Sequence, residues 1–237
     1  VELGLAGKVA LVTAASKGLG LASARALSAE GAHVVLSSRD DAALRKAAAS
    51  LPGDTMTLTG DMSDPDTPAR LVEATVERFG ALHVIVANNG GPPPGRPLDV
   101  TDEAVHRAVD ANLLSALRLV RAARPHMAAA QWGRVCAIAS YGVVLPIRGL
   151  PLSNIARTGL VAWCRSAARE LAAEGITINV ACPGHHATDR MRELGGTGPM
   201  GDPDDFGKAV AFLCSEPAAF ITGTTLVVDG GATAAQG

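Results

Sequence analysis

Residues 13 to 20 read Thr13-Ala14-Ala15-Ser16-Lys17-Gly18-Leu19-Gly20, between a short apolar run and an Ala-rich stretch. Glycines at a strand-to-helix junction let the backbone pass close to a pyrophosphate, and the exposed amides of the helix start supply positive potential. A glycine-rich turn alone says little, because turns use glycine for steric reasons. Its place directly after a first strand is what points to a phosphate cradle. A second group able to do chemistry is His185-His186, which follows Pro183-Gly184. An imidazole is suited to proton transfer; the alternative is two loop histidines in water. No Cys, Asp or Glu set beside the pair completes a ligand shell, so no metal site is expected. Cys136, Cys164, Cys182 and Cys214 form no CxxC pair and sit in apolar stretches, where a free thiol packs as a small hydrophobe.

The elements that must position these groups follow from the hydrophobic pattern. Short β-branched runs at Lys8–Thr13, His33–Ser38, Thr55–Thr59, His83–Ala87, Arg134–Ser140, Ile176–Cys182 and Thr224–Val228 predict strands. Between them, helices are predicted at Gly18–Glu30, Asp41–Ser50, Pro65–Phe79, Asp102–Ala130 (with a break near Asp110), Ser153–Glu174 and Pro203–Ser215. Strands alternating with helices of this length imply right-handed crossovers and a parallel sheet. Gly90 to Pro97 reads as a Gly/Pro-rich loop, and residues 183–202 as a mobile loop. No internal repeat or linker divides the chain, so one domain spanning 1–237 is expected.

Composition narrows the function classes. With 48% hydrophobic residues the chain has ample material for one core, and a net charge of -2 leaves no basic surplus to hold a phosphate backbone, so nucleic acid is not an expected partner. No apolar run approaches the roughly 20 residues that cross a bilayer. The opening residues show no basic region followed by an apolar block, and a cytoplasmic protein is expected.

The loop from Thr13 to Gly20 resembles the TGxxxGxG loop of the short-chain dehydrogenase/reductase family, with Ala14 in place of the first glycine. If that position needs a positive φ, alanine costs about 1 kcal/mol and reshapes the turn. Asn88-Asn89-Gly90-Gly91 resembles the family's NNAG segment, Asn112 its helix asparagine, and Ser140 its active-site serine. Asn179 through Pro183-Gly184 to Thr188 resembles the N…PG…T segment beside the nicotinamide, and the chain closes with ITG and VDGG at 221–223 and 228–231. All of these occurring in order identifies the resemblance nearly end to end. It implies a Rossmann fold: a doubly wound parallel sheet of about seven strands flanked by helices. It also implies that Ser16, Lys17, Gly18, Leu19, Gly20, Asn88, Gly90, Pro183, Gly184 and Thr188 border a nicotinamide dinucleotide, with Asp61 and Met62 framing the adenine.

Where members that use NAD carry an acidic residue after the second strand, this chain has Ser38-Arg39, with Lys17 nearby. A hydroxyl and two cations favour a 2′-phosphate, hence NADP(H) over NAD(H). The alternatives are cations that point into water, or an inward turn of Asp40 or Asp41 that reverses the preference.

The catalytic centre departs from the family. Members work through Tyr-x-x-x-Lys; the matching positions here are Ser153, thirteen residues after Ser140, and Arg157. No shifted alignment restores the pair, since Tyr141 is the single tyrosine and no lysine lies between Lys46 and Lys208. Arg157 can hold a ribose hydroxyl or an oxyanion but cannot relay a proton. Ser153 can hydrogen-bond a carbonyl yet is a poor acid without an activating neighbour. Tyr141 and His185 are the local substitutes, against packing or solvated roles for each. Two functions stay open: an atypical 3-oxoacyl-reductase-like oxidoreductase of carbonyls and alcohols, or a catalytically silent cofactor-binding protein acting as sensor, scaffold or partner subunit. An apolar substrate pocket is expected at Val143, Leu145, Ile147 and Leu150. The resemblance also implies a homodimer or homotetramer built on the two long helices, with Ala156, Gly159, Ala162, Ala167 and Ala168 allowing close approach, unless those small residues pack on the chain's own sheet.

Overall fold

The computed structural model describes residues 1–234, so the last three residues of the expected 1–237 domain lie outside the described residues. Seven strands form one parallel sheet: β1 (Val9–Thr13), β2 (His33–Ser38), β3 (Thr55–Thr59), β4 (Val84–Ala87), β5 (Gly133–Ile138), β6 (Ile176–Pro183) and β7 (Thr225–Val228), in the order β3-β2-β1-β4-β5-β6-β7. β1 is buried along its whole length, as a parallel strand covered on both faces must be. Alternate side chains serve opposite faces. Leu11, Val35 and Ile85 join one core, and Ala10, Val12, Val34 and Leu36 join the other.

The helices divide accordingly. α3 (Thr67–Phe79), α5 (Ser115–Ala129) and α6 (Pro151–Ala172) cover the first face, while α1 (Gly18–Ala29), α2 (Asp41–Ala48) and α8 (Pro203–Leu213) cover the second. α1 and α8 meet closely enough that a Cβ on Gly207 would fall 2.4 Å from the Ala22 carbonyl oxygen, which requires glycine there.

Helix boundaries differ from expectation in two instructive places. Pro65 does not open α3; the residues before it form an Asx-type turn in which Asp66 N–H and Thr67 Oγ1 donate to Asp64, and Pro68 takes the first-turn position that needs no amide. The break expected near Asp110 is a π-helical turn, Asp110–Leu114, between α4 (Asp102–Val109) and α5. One extra residue per turn re-aims the side chains along that stretch.

At the opposite end of the sheet from the loops, Trp132 lies between two cations, with Lys8 Nζ and the Arg134 guanidinium each 4.2 Å from its ring centre. Its indole N–H donates to Glu216 at 2.7 Å. All four cysteines are free and buried, as their apolar surroundings predicted. Among the described residues no helix is long and apolar enough to cross a membrane.

Candidate active site

The strand order reverses between β1 and β4, and a crevice opens beyond the carboxyl ends of the strands at such a switch point. A cleft of about 990 Å³ lies along this edge. Its lining brings together Ser16, Lys17, Gly18, Leu19, Ser38, Arg39, Asp61, Met62, Asn88, Gly90, Asn112, Ser140, Tyr141, Ser153, Arg157, Pro183, Gly184 and Thr188. Two residues expected at the site stand apart from that lining. Gly20 is buried beneath the loop, where a Cβ would fall 2.3 Å from the Ala14 carbonyl oxygen and 2.8 Å from Asn88 Nδ2. His185 is exposed at the margin.

The Thr13–Gly20 loop leads from β1 directly into α1. Lys17 caps α1 in an extended conformation without a side-chain hydrogen bond, which leaves the amides of the first turn free for a ligand. Thr13 ties the loop to the next strand: its Oγ1 donates to Asn88 O at 2.7 Å and accepts from Asn88 N–H at 2.9 Å. Ala14 has φ +47°, so the position does require the left-handed region. That conformation costs an L-residue roughly 1–2 kcal/mol, more than the chain entropy of about 0.4–1 kcal/mol that a glycine would lose. Ala14→Gly is therefore expected to raise stability by roughly 0.5–1 kcal/mol, read as a higher denaturant midpoint.

At the far end of the loop side, Asp61 accepts from Ser63 N–H at 3.0 Å and Ser63 Oγ at 2.9 Å. These bonds, chiefly the backbone one, hold its carboxyl below the usual range, and the charge of Arg39 adds to the effect. Asp40 caps α2 by accepting from Ala43 N–H at 3.0 Å, and Asp41 pairs with Arg45 at 2.6 Å.

The other end holds the groups at the matching catalytic positions. Ser140, two residues past the end of β5, accepts from Gly142 N–H at 3.1 Å and caps a 3₁₀ turn, Tyr141–Val143. Asn112 sits in the π-helical turn, buried; its Nδ2 donates to Ala108 O at 3.2 Å, while its Oδ1 has no hydrogen-bond partner. Arg157 is buried on α6, and its guanidinium donates to Ile138 O at 2.7 Å and Asn89 O at 3.3 Å. Burial brings its pKa down to about 10, which still leaves it cationic at neutral pH. Ser153 is buried one turn earlier on the same helix. The Tyr141 hydroxyl and His185 Nε2 lie 3.2 Å apart, with the rings edge to face. Burial first, and then the charge of Asp229, push the Tyr141 phenol up.

Other expectations need correction. Residues 183–202 carry more regular structure than a mobile loop: a short helix α7 (Asp189–Glu193) capped by Thr188, and a bridge pairing His186 with Gly201. His186 lines the cleft but is largely buried, its ring edge-on against Phe206. Of the expected apolar pocket, Ile147 and Leu150 line the cleft, whereas Val143 packs against the core. Sequence reasoning missed Arg190, which reaches from α7 across the cleft mouth to donate to Pro92 O at 2.8 Å, and Arg107, which lines the cleft from α4. The signal for Arg190 was its place two residues after the Thr188 cap.

The cleft accommodates a dinucleotide: free helix-start amides at one end, an unpartnered buried Asn112 oxygen at the other, and an open volume between. Comparison with known proteins agrees. The family described as Enoyl-(Acyl carrier protein) reductase matches residues 13–233. "Dehydrogenase/reductase SDR family member 4" of Oryctolagus cuniculus is 35% identical over 96% of this chain and 94% of its own. The Homo sapiens protein of the same name is 34% identical over 96% and 88%. The crystal structure of L-sorbose reductase from Gluconobacter frateurii, complexed with NADPH and L-sorbose, superposes with a TM-score of 0.91 at 27% identity, covering 97% of this chain and 98% of that one. With a family match from the phosphate loop to the last strand, and relatives aligned along nearly their whole length, this chain belongs to the short-chain dehydrogenase/reductase family.

Proposed function

We propose that this protein is an NADP(H)-dependent oxidoreductase of carbonyl and alcohol substrates, 3-oxoacyl-reductase-like, in which Ser153 and Arg157 replace the family's tyrosine and lysine. The observation that carries the reading is the single cleft that joins the phosphate loop, Ser38-Arg39, Asn112 and Ser140. When bound, the cofactor supplies a hydride. Gly18 and Leu19 amides hold its pyrophosphate, Arg39 and Ser38 its 2′-phosphate, and Ser140 Oγ donates to the substrate oxygen. Arg157 would serve as a fixed cation toward the nicotinamide end of the cleft.

The preference for NADP(H) is supported by what the neighbouring carboxylates do. Asp40 lines the cleft but is engaged in capping α2, and Asp41 pairs with Arg45. Arg39 remains an exposed cation at the cleft rim. The L-sorbose reductase likeness to an NADPH complex points the same way. Titration of the purified protein by nicotinamide fluorescence is expected to show tighter binding of NADPH than of NADH. Arg39→Ala is expected to weaken NADPH about tenfold, one charge-assisted contact, and to leave NADH unchanged. Equal loss for both cofactors would mean that Arg39 does not read the 2′-phosphate.

A silent cofactor-binding protein is the second reading, favoured by the engagement of Arg157 with two backbone carbonyls. Binding without turnover of any 3-oxoacyl or dicarbonyl substrate would select it. Four buried free thiols suit a reducing compartment, in keeping with a cytoplasmic location. A homodimer or homotetramer through α6 is supported by the exposed Ile155 and Ala162 on that helix, although Ala156 and Ala168 pack into the chain's own core. Light scattering at micromolar concentration is expected to give a multiple of the 24.0 kDa chain mass, and a monomer would refute the assembly.

A further inference from the structure

We infer that Tyr141 and His185 are the proton-transfer pair of this cleft: Tyr141 hands a proton to the substrate oxygen, and His185 replaces it from water. The inference rests on the oxidoreductase reading above. It answers what that reading leaves open, since Ser153 has too short and too weakly acidic a side chain, and Arg157 cannot give up a proton.

The topology brings the two residues together. Tyr141 follows Ser140 at the end of β5, and His185 follows Gly184 at the end of β6. These strands are neighbours, paired through to Ile138 and Ala181. Their ends therefore deliver a phenol and an imidazole side by side, with Tyr141 Oη 3.2 Å from His185 Nε2. Their exposures give the pair a direction. Tyr141 is half-buried and lines the cleft next to Ser140, whereas His185 is exposed and outside the lining. Tyr141 thus borders the cleft and His185 borders water. His186, the other imidazole nearby, lines the cleft but is buried, with Nδ1 3.3 Å from Gly184 O and its ring against Phe206, and its ring makes no hydrogen bond to Tyr141 or His185. The charged group that bears on the phenol is Asp229, beyond β7; after burial, it helps keep the phenol in the protonated form an acid requires.

In the reductive direction the carbonyl carbon accepts hydride from the cofactor, and the C=O π pair becomes a lone pair on oxygen. That oxygen takes the Tyr141 proton as a new O–H bond forms and the phenol O–H breaks. Tyr141 Oη takes the Nε2 proton of His185. His185 gains a proton at Nδ1 from water and ends as the other neutral tautomer, so the carbonyl is reduced, the cofactor oxidised and one solvent proton consumed.

Because Tyr141 is the only tyrosine, phenolate absorbance of the cofactor-free protein reports it alone. Three variants decide the matter: Tyr141→Phe, His185→Phe and His185→Gln. An Nε2–H donated to the phenol oxygen stabilises phenolate, so His185→Phe is expected to raise the phenol midpoint, and His185→Gln, which keeps a donor, to raise it less. An unchanged or lowered midpoint in His185→Phe overturns the pair. With 3-oxoacyl or dicarbonyl substrates, Tyr141→Phe is expected to lower kcat about 10²–10⁴-fold with the NADPH Kd unchanged, which also shows an intact fold. The His185→Phe defect is expected to be smaller. Undiminished kcat in Tyr141→Phe overturns the pair but leaves the oxidoreductase reading standing. NADPH binding with no turnover of any carbonyl overturns the pair and selects the silent reading, and failure to bind NADPH overturns both the reading and the pair.

Discussion

Arg157→Ala is expected to destabilise the protein by about 3 kcal/mol, seen as a lower urea midpoint at unchanged slope. The side chain holds two carbonyls, the buried Ile138 O at the end of β5 and the half-buried Asn89 O after β4. Each buried acceptor left without a donor costs about 1–3 kcal/mol. Against this stands the relief of removing a buried cation whose neighbouring ionisable groups are the Cys182 thiol and a second guanidinium, Arg190, rather than a carboxylate. Such a charge is costly to keep, so the net effect falls below the sum of the two bonds. Arg157→Lys keeps the charge but replaces a planar fork by a point donor, and an intermediate loss is expected. An unchanged midpoint for Arg157→Ala would show that water replaces both donors.

The other large effect is catalytic. In the proposed oxidoreductase, Ser140→Ala removes a hydroxyl aimed at the developing oxyanion, and kcat is expected to fall about 10²–10³-fold. Binding of NADPH is expected to hold, because the Gly18 and Leu19 amides proposed to hold the pyrophosphate come from the β1–α1 loop rather than from Ser140. Ser140 also accepts from Gly142 N–H, at a half-buried position, so a modest stability loss of about 1 kcal/mol accompanies the change. A variant that binds cofactor and turns over at the parent rate would remove Ser140 from the reaction.

Much of this was legible in the chain itself. Runs such as His33–Ser38 have no polar alternation because both faces of a parallel strand are covered, so the strands and the order of motifs along them identified the fold. The turn from β1 into α1 was legible for a related reason: Gly20 sits where the Ala14 backbone approaches closely. Tertiary partners were not. Nothing in a buried arginine's letter tells that two backbone carbonyls, and no acid, will hold it, as Arg157 is held. Nor does local sequence reveal that Tyr141 and His185 meet, since they are 44 residues apart and are joined through strand pairing. The chain around Asp110 showed a break, but the π geometry that turns Asn112 inward depends on what α5 and α6 pack against. Residues 183–202 misled because Gly and Pro content reads as looseness, while Thr188 and the Gly201 bridge make a structured cover.

The sandwiched Trp132 has an optical consequence. Trp132 and Trp163 are the two tryptophans, and neither lines the cleft. Trp132 lies at the amino ends of strands five to six residues long, so roughly 17 Å of sheet separates it from the rim where a dinucleotide would sit. Indole emission overlaps dihydronicotinamide absorption, and that distance is within range for resonance energy transfer but too long for contact quenching. Bound NADPH would dim this fluorophore without shifting its colour, whereas unfolding, which frees the ring from Lys8 and Arg134, would shift it to the red. One cuvette thus separates occupancy from denaturation by wavelength.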